Sequence, residues 1–135
     1  ALAEMNAIMD EDFIWFAYAG DRPVGCLFAL PDANEILRDA GDPSHVAGKL
    51  KFIFYKHLRG FSRVRVVAMG VVPDFQNRGL ESALIMKAYE AGKKKSRYKH
   101  VELSWVGDFN DKMLAIHRAM GATQDKQHAT FRKVL

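Results

Sequence analysis

The chain has 135 residues, of which 49% are hydrophobic and 27% charged, enough apolar material for one domain with a buried core. That composition excludes a disordered tail or a fibre, and a single cysteine, Cys26, excludes a disulfide-stapled miniprotein. Lys and Arg number 20 against 16 Asp and Glu, a formal charge of +4 that suits an anionic ligand.

Taken in order, Phe13 to Ala19 is aromatic and β-prone, Gly20-Asp21-Arg22-Pro23 supplies turn chemistry, and Val24 to Leu30 is apolar again. This pattern predicts a β-hairpin. Residues 32–44 read as a loop around a short helical turn at Glu35 to Asp39. Val46, Leu50, Ile53, Phe54 and His57 recur at helical spacing, so an amphipathic helix is expected over about 45–58, with Gly60 as its stop. Val64 to Val72 is almost wholly apolar and alternates poorly, as a strand covered on both faces would.

Pro73-Asp74 breaks that strand, and a helix is expected from Leu80 to Lys95 with Leu80, Ala83, Leu84, Ala88 and Ala91 on its inner face. His100 to Val106 reads as a strand. Asp108 to Met120 reads as a helix with Met113, Ile116, His117 and Met120 on one face, and the tail Ala122 to Leu135 as a further strand. A strand–helix–strand unit implies parallel strands. The whole predicts an α+β fold: an antiparallel hairpin feeding a mixed central sheet with helices on both faces.

The segment Gln76-Asn77-Arg78-Gly79 lies between a strand and a helix start. A helix start carries unpartnered N–H groups and a partial positive charge, and glycine lets backbone approach an anion closely. Arg78 adds a charge-assisted contact. An ordinary strand-to-helix turn would use the same residues. The loop is neither a Walker loop nor the Rossmann glycine pattern.

The run Val71-Val72-Pro73-Asp74-Phe75-Gln76-Asn77-Arg78-Gly79-Leu80-Glu81-Ser82-Ala83-Leu84 resembles the acyl-CoA-binding motif of the GNAT acetyltransferase superfamily, Gln/Arg-x-x-Gly-x-Gly/Ala. The spacing from Asn110 through His117 to Gly121-Ala122 resembles the family's second signature. Pro31-Asp32-Ala33-Asn34 and Glu102-Leu103-Ser104-Trp105 resemble a bacterial subgroup whose acetyltransferase-like part lies at the C-terminal end of a longer chain. The resemblance covers about 13–135 and implies a GNAT-like, acyl-CoA N-acyltransferase fold with short or missing N-terminal elements.

The resemblance implies that acetyl-CoA is the co-substrate and that an amine attacks its thioester directly. Gln76, Asn77, Arg78, Gly79, Glu81 and Ser82 would line the pyrophosphate. Met69, Gly70, Val71 and Val72 would present backbone to the pantetheine arm, and Asn110 would sit near the cofactor or simply cap its helix. Glu81 stands where the family has a second Gly or Ala, and His117 stands where a tyrosine often protonates the thiolate. Only about 12 residues precede the first strand, where the family usually builds part of the acceptor pocket.

His100, Glu102 and Ser104 share one strand face. Glu102 is a candidate general base acting through water, or a carboxylate satisfied by a neighbouring arginine. His117 is a candidate acid, or a histidine at the edge of the core. Cys26 reads as a small core residue, and Trp15 and Trp105 as core. Lys93 to Lys99 reads as a solvated helix end in preference to a nucleic-acid patch.

The histidines show no metal-ligand spacing, so no metal is expected. The lone cysteine, the absence of an apolar run of roughly 20 residues and the absence of a signal-peptide layout lead us to expect a cytoplasmic protein with no membrane partner. The chain begins at Ala1 and is read as a single domain over 1–135, the C-terminal portion of a longer protein. Its alternative function is a non-catalytic binding or dimerisation module with a degraded CoA site, and a homodimer fits either reading.

Overall fold

The computed structural model describes residues 8–42 and 44–133. The chain divides into two compact units, Ala1–Ser104 and Trp105–Leu135.

The first unit holds a four-stranded sheet in the order β1 (Ile14–Ala19), β2 (Arg22–Pro31), β3 (Arg63–Val71), β4 (His100–Leu103). The expected hairpin is present. Ala19 pairs with Arg22 across a two-residue turn, and Gly20 takes a φ of 60°, left-handed backbone that glycine adopts without strain. β2 and β3 are antiparallel, and β3 and β4 are parallel. Between β3 and β4 runs α3 (Leu80–Lys94), so the predicted strand–helix–strand unit and its parallel pairing both hold.

α3 supplies Leu84 and Ala91 to the main core, where they meet Phe13, Leu27, Ala29 and Val64, with Ile85 and Ala88 packed at the edge. Ala83, expected on the inner face, is exposed. Two earlier helices, α1 (Asn34–Ala40) and α2 (Val46–Leu58), join β2 to β3. They close a second cluster of Ile36, Ala40 and Phe61 with Phe52 and Tyr55 packed against it. Glu35 ties α1 to the start of β3. Its carboxylate accepts from the Ser62 N–H at 2.8 Å, the Ser62 hydroxyl at 2.7 Å and the Arg63 N–H at 3.2 Å. Burial pushes this carboxyl up, but those donors outweigh it and hold it below its ordinary value.

α2 forms, but the face that carries its period is turned to solvent, and Gly48, Phe52 and Tyr55 face inward instead. Those three sit at i, i+4 and i+7, a second helical stripe that outcompetes the first because it meets Phe61 and α1. β3 is covered mainly on one face, and its poor alternation has another cause, a bulge at Val67. β4 is four residues long and does not run to Val106.

In the second unit, α4 (Asp111–Ala119) is capped by Asn110, whose side chain accepts from the Met113 N–H at 3.2 Å. Met113, Ile116 and His117 are half-buried on one face, as the spacing predicts, while Met120 and Trp105 are exposed. Residues 122–133 form no strand, and 134 and 135 lie outside the described residues. Cys26 is half-buried on β2, and Trp15 packs against the main core.

Candidate functional site

On β3, Val64 and Val66 turn toward the core, and so do Met69 and Val71. The parity changes because one residue is extra. Ala29 pairs with Val66 and Phe28 with Ala68, leaving Val67 without a counterpart on β2. A β-bulge of this kind bends a strand and re-aims the residues beyond it. β4 stops pairing at the same point, since its register ends at Val66 opposite Leu103. The Ser104 hydroxyl donates to the Val66 carbonyl and so closes the ladder where β4 leaves it. From Val67 to Val71, β3 therefore keeps β2 on one side and has no strand on the other among the described residues. A Cβ built on Gly70 would meet nothing within 4 Å, so space lies open over the sheet face at this residue.

The loop after β3 begins with a 3-10 turn, Pro73–Phe75. Val72 donates its N–H to the Val24 carbonyl at 2.9 Å and accepts from the Phe75 N–H at 3.0 Å, so both of its backbone groups are engaged. The Gln76 side-chain amide donates back to the Val71 carbonyl at 3.0 Å. Asn77 (φ 59°) and Gly79 (φ 80°) are both left-handed, and this pair of reversals swings the chain into α3.

Gly79 is the N-cap of α3, and no side chain caps that end. The first helical bond runs from the Ala83 N–H to the Gly79 carbonyl at 2.9 Å. The N–H groups of Leu80, Glu81 and Ser82 precede that ladder and project from the helix start. Arg78 is exposed and lies over the Phe75 ring at 5.4 Å. Glu81 is half-buried in the first turn and Ser82 is exposed. A Cβ on Gly79 would also meet nothing within 4 Å. An open helix start with uncapped N–H groups, a nearby guanidinium and free space is chemically suited to a phosphate group.

Glu102 lies across the register from Arg65, with one carboxylate oxygen 3.1 Å from Arg65 and the other 3.6 Å from Arg63. Arg63 also lies 3.6 Å from the buried Asp32. Of the two readings the sequence left open for Glu102, this geometry realises pairing with arginine. Asn110 and His117 belong to the second unit. Burial pushes the His117 imidazole below its ordinary value, which favours the neutral ring at pH 7.

One ionic centre escaped the sequence reading. The half-buried Asp10 accepts from Lys95 at 2.5 Å, from Arg97 at 2.9 Å and from the Tyr98 hydroxyl at 2.9 Å, and Lys95 also reaches Asp12 at 2.6 Å. These residues line part of a cavity of about 500 Å³. The expected solvated run is thus corrected at three of its members, Lys95, Arg97 and Tyr98, which hold the N-terminal turn onto the end of α3. Only the Asp-Glu-Asp string at 10–12 beside that basic run signals this pairing in the sequence.

Comparison with known proteins agrees with this arrangement. The family model described as "Acetyltransferase (GNAT) family" matches residues 2–122. No curated protein matches the chain in sequence. Among solved structures, the chain is similar to AAC(6')-Iy in complex with a bisubstrate analogue, CoA-S-monomethyl-acetylneamine, at 19% identity and a TM-score of 0.60, covering 99% of this chain and 78% of that one. It is similar to the 6'-N-acetyltransferase AAC(6')-IG from Acinetobacter haemolyticus at 19% identity and a TM-score of 0.57, covering 99% and 79%. A third, the aminoglycoside acetyltransferase meta-AAC0020 from an uncultured soil metagenomic sample, gives 13% identity and a TM-score of 0.60, covering 100% and 74%. At these identities the likeness is one of fold, whereas the family model spans nearly the whole chain: it belongs to the GNAT acetyltransferase family.

Proposed function

We propose that the protein binds acetyl-CoA at the β3–α3 loop and transfers the acetyl group to an amine. The observation that carries this reading is the uncapped start of α3 at Gly79, beside the stretch of β3 that β4 leaves open. The N–H groups of Leu80, Glu81 and Ser82, with Gln76, Asn77, Arg78 and Gly79, hold the pyrophosphate. Met69, Gly70 and the Val71 N–H offer backbone to the pantetheine arm, the Val71 carbonyl being held by Gln76 and Val72 having spent its own groups on Val24 and the turn. When bound, the thioester supplies an acetyl carbon open to attack by a neutral amine. Backbone near Val71 steadies the charge that builds on the carbonyl oxygen.

A second reading, a CoA-binding module without turnover, is favoured by one feature. Glu102 spans two guanidiniums, which compete with any water or amine for its oxygens. On this reading Glu102 positions Arg63 and Arg65 and is not the base.

Thermal unfolding with and without millimolar acetyl-CoA, against CoA and ATP, tests the binding site. A ligand at 100 times its Kd stabilises by about 2.7 kcal/mol, several degrees for a domain of this size. A CoA-selective shift is expected, and no shift overturns the site. Thiol release in an amine screen then separates the enzyme from the module. The chemical neighbourhood of an aminoglycoside is a reasonable first panel, since AAC(6')-Iy carries such an analogue.

A further inference from the structure

α2 leaves a bare apolar face. Val46, Leu50, Ile53, Phe54 and Leu58 are 75, 63, 54, 61 and 67% exposed. They fall at i, i+4, i+7, i+8 and i+12, one continuous stripe along a 13-residue helix of roughly 20 Å. The opposite stripe of Gly48, Phe52 and Tyr55 packs inward, so the bare face cannot turn in without expelling them. Contiguous exposed apolar surface on this scale marks a contact site.

Charge identifies the occupant. Between Val46 and Gly60 the chain carries Lys49, Lys51, Lys56, His57 and Arg59 and no acidic residue, and of these Arg59 is paired with Asp39 of α1 at 2.5 Å. At 100° per residue, Lys49 borders the apolar stripe on one side and Lys51 on the other, and both are exposed. We infer that α2 is an interfacial helix that rests on an anionic lipid surface. Its apolar stripe enters the headgroup–acyl boundary while the lysine stems extend along it and keep their ammonium groups among lipid phosphates. A second copy meeting helix to helix about a two-fold axis would bring these lysines against their own kind. A nucleic acid would satisfy the lysines and leave five large apolar side chains in water.

Sedimentation of the whole protein with phosphatidylcholine vesicles, and with vesicles mixed with phosphatidylglycerol, tests this. Binding to the anionic vesicles and little to the neutral ones is expected. Leu50→Ser with Phe54→Ser should abolish it without altering the circular dichroism or the acetyl-CoA thermal shift, because both side chains are exposed. Lys49→Gln and Lys51→Gln should each weaken it about fivefold, the contribution of one basic residue at an anionic surface. Failure to bind anionic vesicles overturns the inference. So does a solution dimer that the serine variant dissociates, which would give the face to a second copy. Neither result bears on the acetyl-CoA site.

Discussion

The side-chain amide of Gln76 donates to the Val71 carbonyl at 3.0 Å and so ties the loop to the strand end that precedes it. The bond spans the 3-10 turn Pro73–Phe75 and holds the end of β3 in fixed relation to the first residue of the proposed pyrophosphate site. Gln76→Ala removes one neutral hydrogen bond, about 1 kcal/mol, from a loop that binding requires to be preorganised. A rise of roughly fivefold in the Kd for acetyl-CoA is expected by titration calorimetry, with kcat on saturating substrate nearly unchanged. An unaltered Kd would show that the loop holds its shape without this bond.

Gly79 sits at φ 80° with nothing near its absent Cβ. Gly79→Ala therefore brings backbone strain and no clash, a loss of about 1–2 kcal/mol in urea denaturation. Asn77, also left-handed, predicts the opposite. Asn77→Gly should relieve strain and raise stability by a few tenths to about 1 kcal/mol. If both substitutions destabilise, side-chain contacts of Asn77 matter more than its backbone.

Asp10 anchors the N-terminal turn. Burial pushes its carboxyl up, but hydrogen bonds from Lys95, Tyr98 and Arg97 together with the Lys95 charge hold it below its ordinary value. A carboxyl whose folded pKa is depressed contributes stability that is fully present above its unfolded pKa of about 3.9 and is lost as pH falls through the folded value. Asp10→Asn should cost about 2–3 kcal/mol at pH 7, because Lys95 and Arg97 lose their shared partner. It should also flatten the acid limb of the stability profile measured by chemical denaturation from pH 7 to pH 2. An unchanged acid limb would place that dependence on other carboxyls such as Glu35.

For His117 the sign is the same, but the window lies at higher pH. Burial disfavours the charged ring, so its folded pKa lies below the unfolded value of about 6.5. As pH falls below 6.5 the unfolded chain takes up a proton that the folded chain resists, and stability declines until the folded ring protonates too. His117→Gln should shrink the fall in Tm between pH 7.5 and pH 5. A role as proton donor makes a separate demand: kcat should drop by about 100-fold or more while acetyl-CoA affinity holds.

Glu102→Gln distinguishes anchor from base. As the partner of Arg65 and Arg63 it should lower Tm modestly and leave the pH dependence of kcat/KM in place. Loss of the acid limb of that profile, with a large fall in kcat, would restore Glu102 as the general base.

Much was legible in the sequence because local chemistry and period carry it. The hairpin followed from an apolar run on each side of Gly20-Asp21, and the strand–helix–strand unit from its spacing. The helix start followed from Gly79 and the apolar period after it. The loop could be picked out as a candidate anion site for the same reason: helix ends and glycine conformations are properties of a few consecutive residues.

What the tertiary structure decided were choices among alternatives that local sequence leaves equal. α2 has two apolar stripes, and which one is buried depended on where Phe61 and α1 lay. The bulge at Val67 depended on how β2 met β3, since an apolar run does not reveal which residue is extra. The early end of β4 against β3 and the ties that bring Lys95 and Arg97 to Asp10 join residues distant in the chain. Composition and periodicity specify what a segment can bury or bond, and only the packed fold specifies which partner reaches it first.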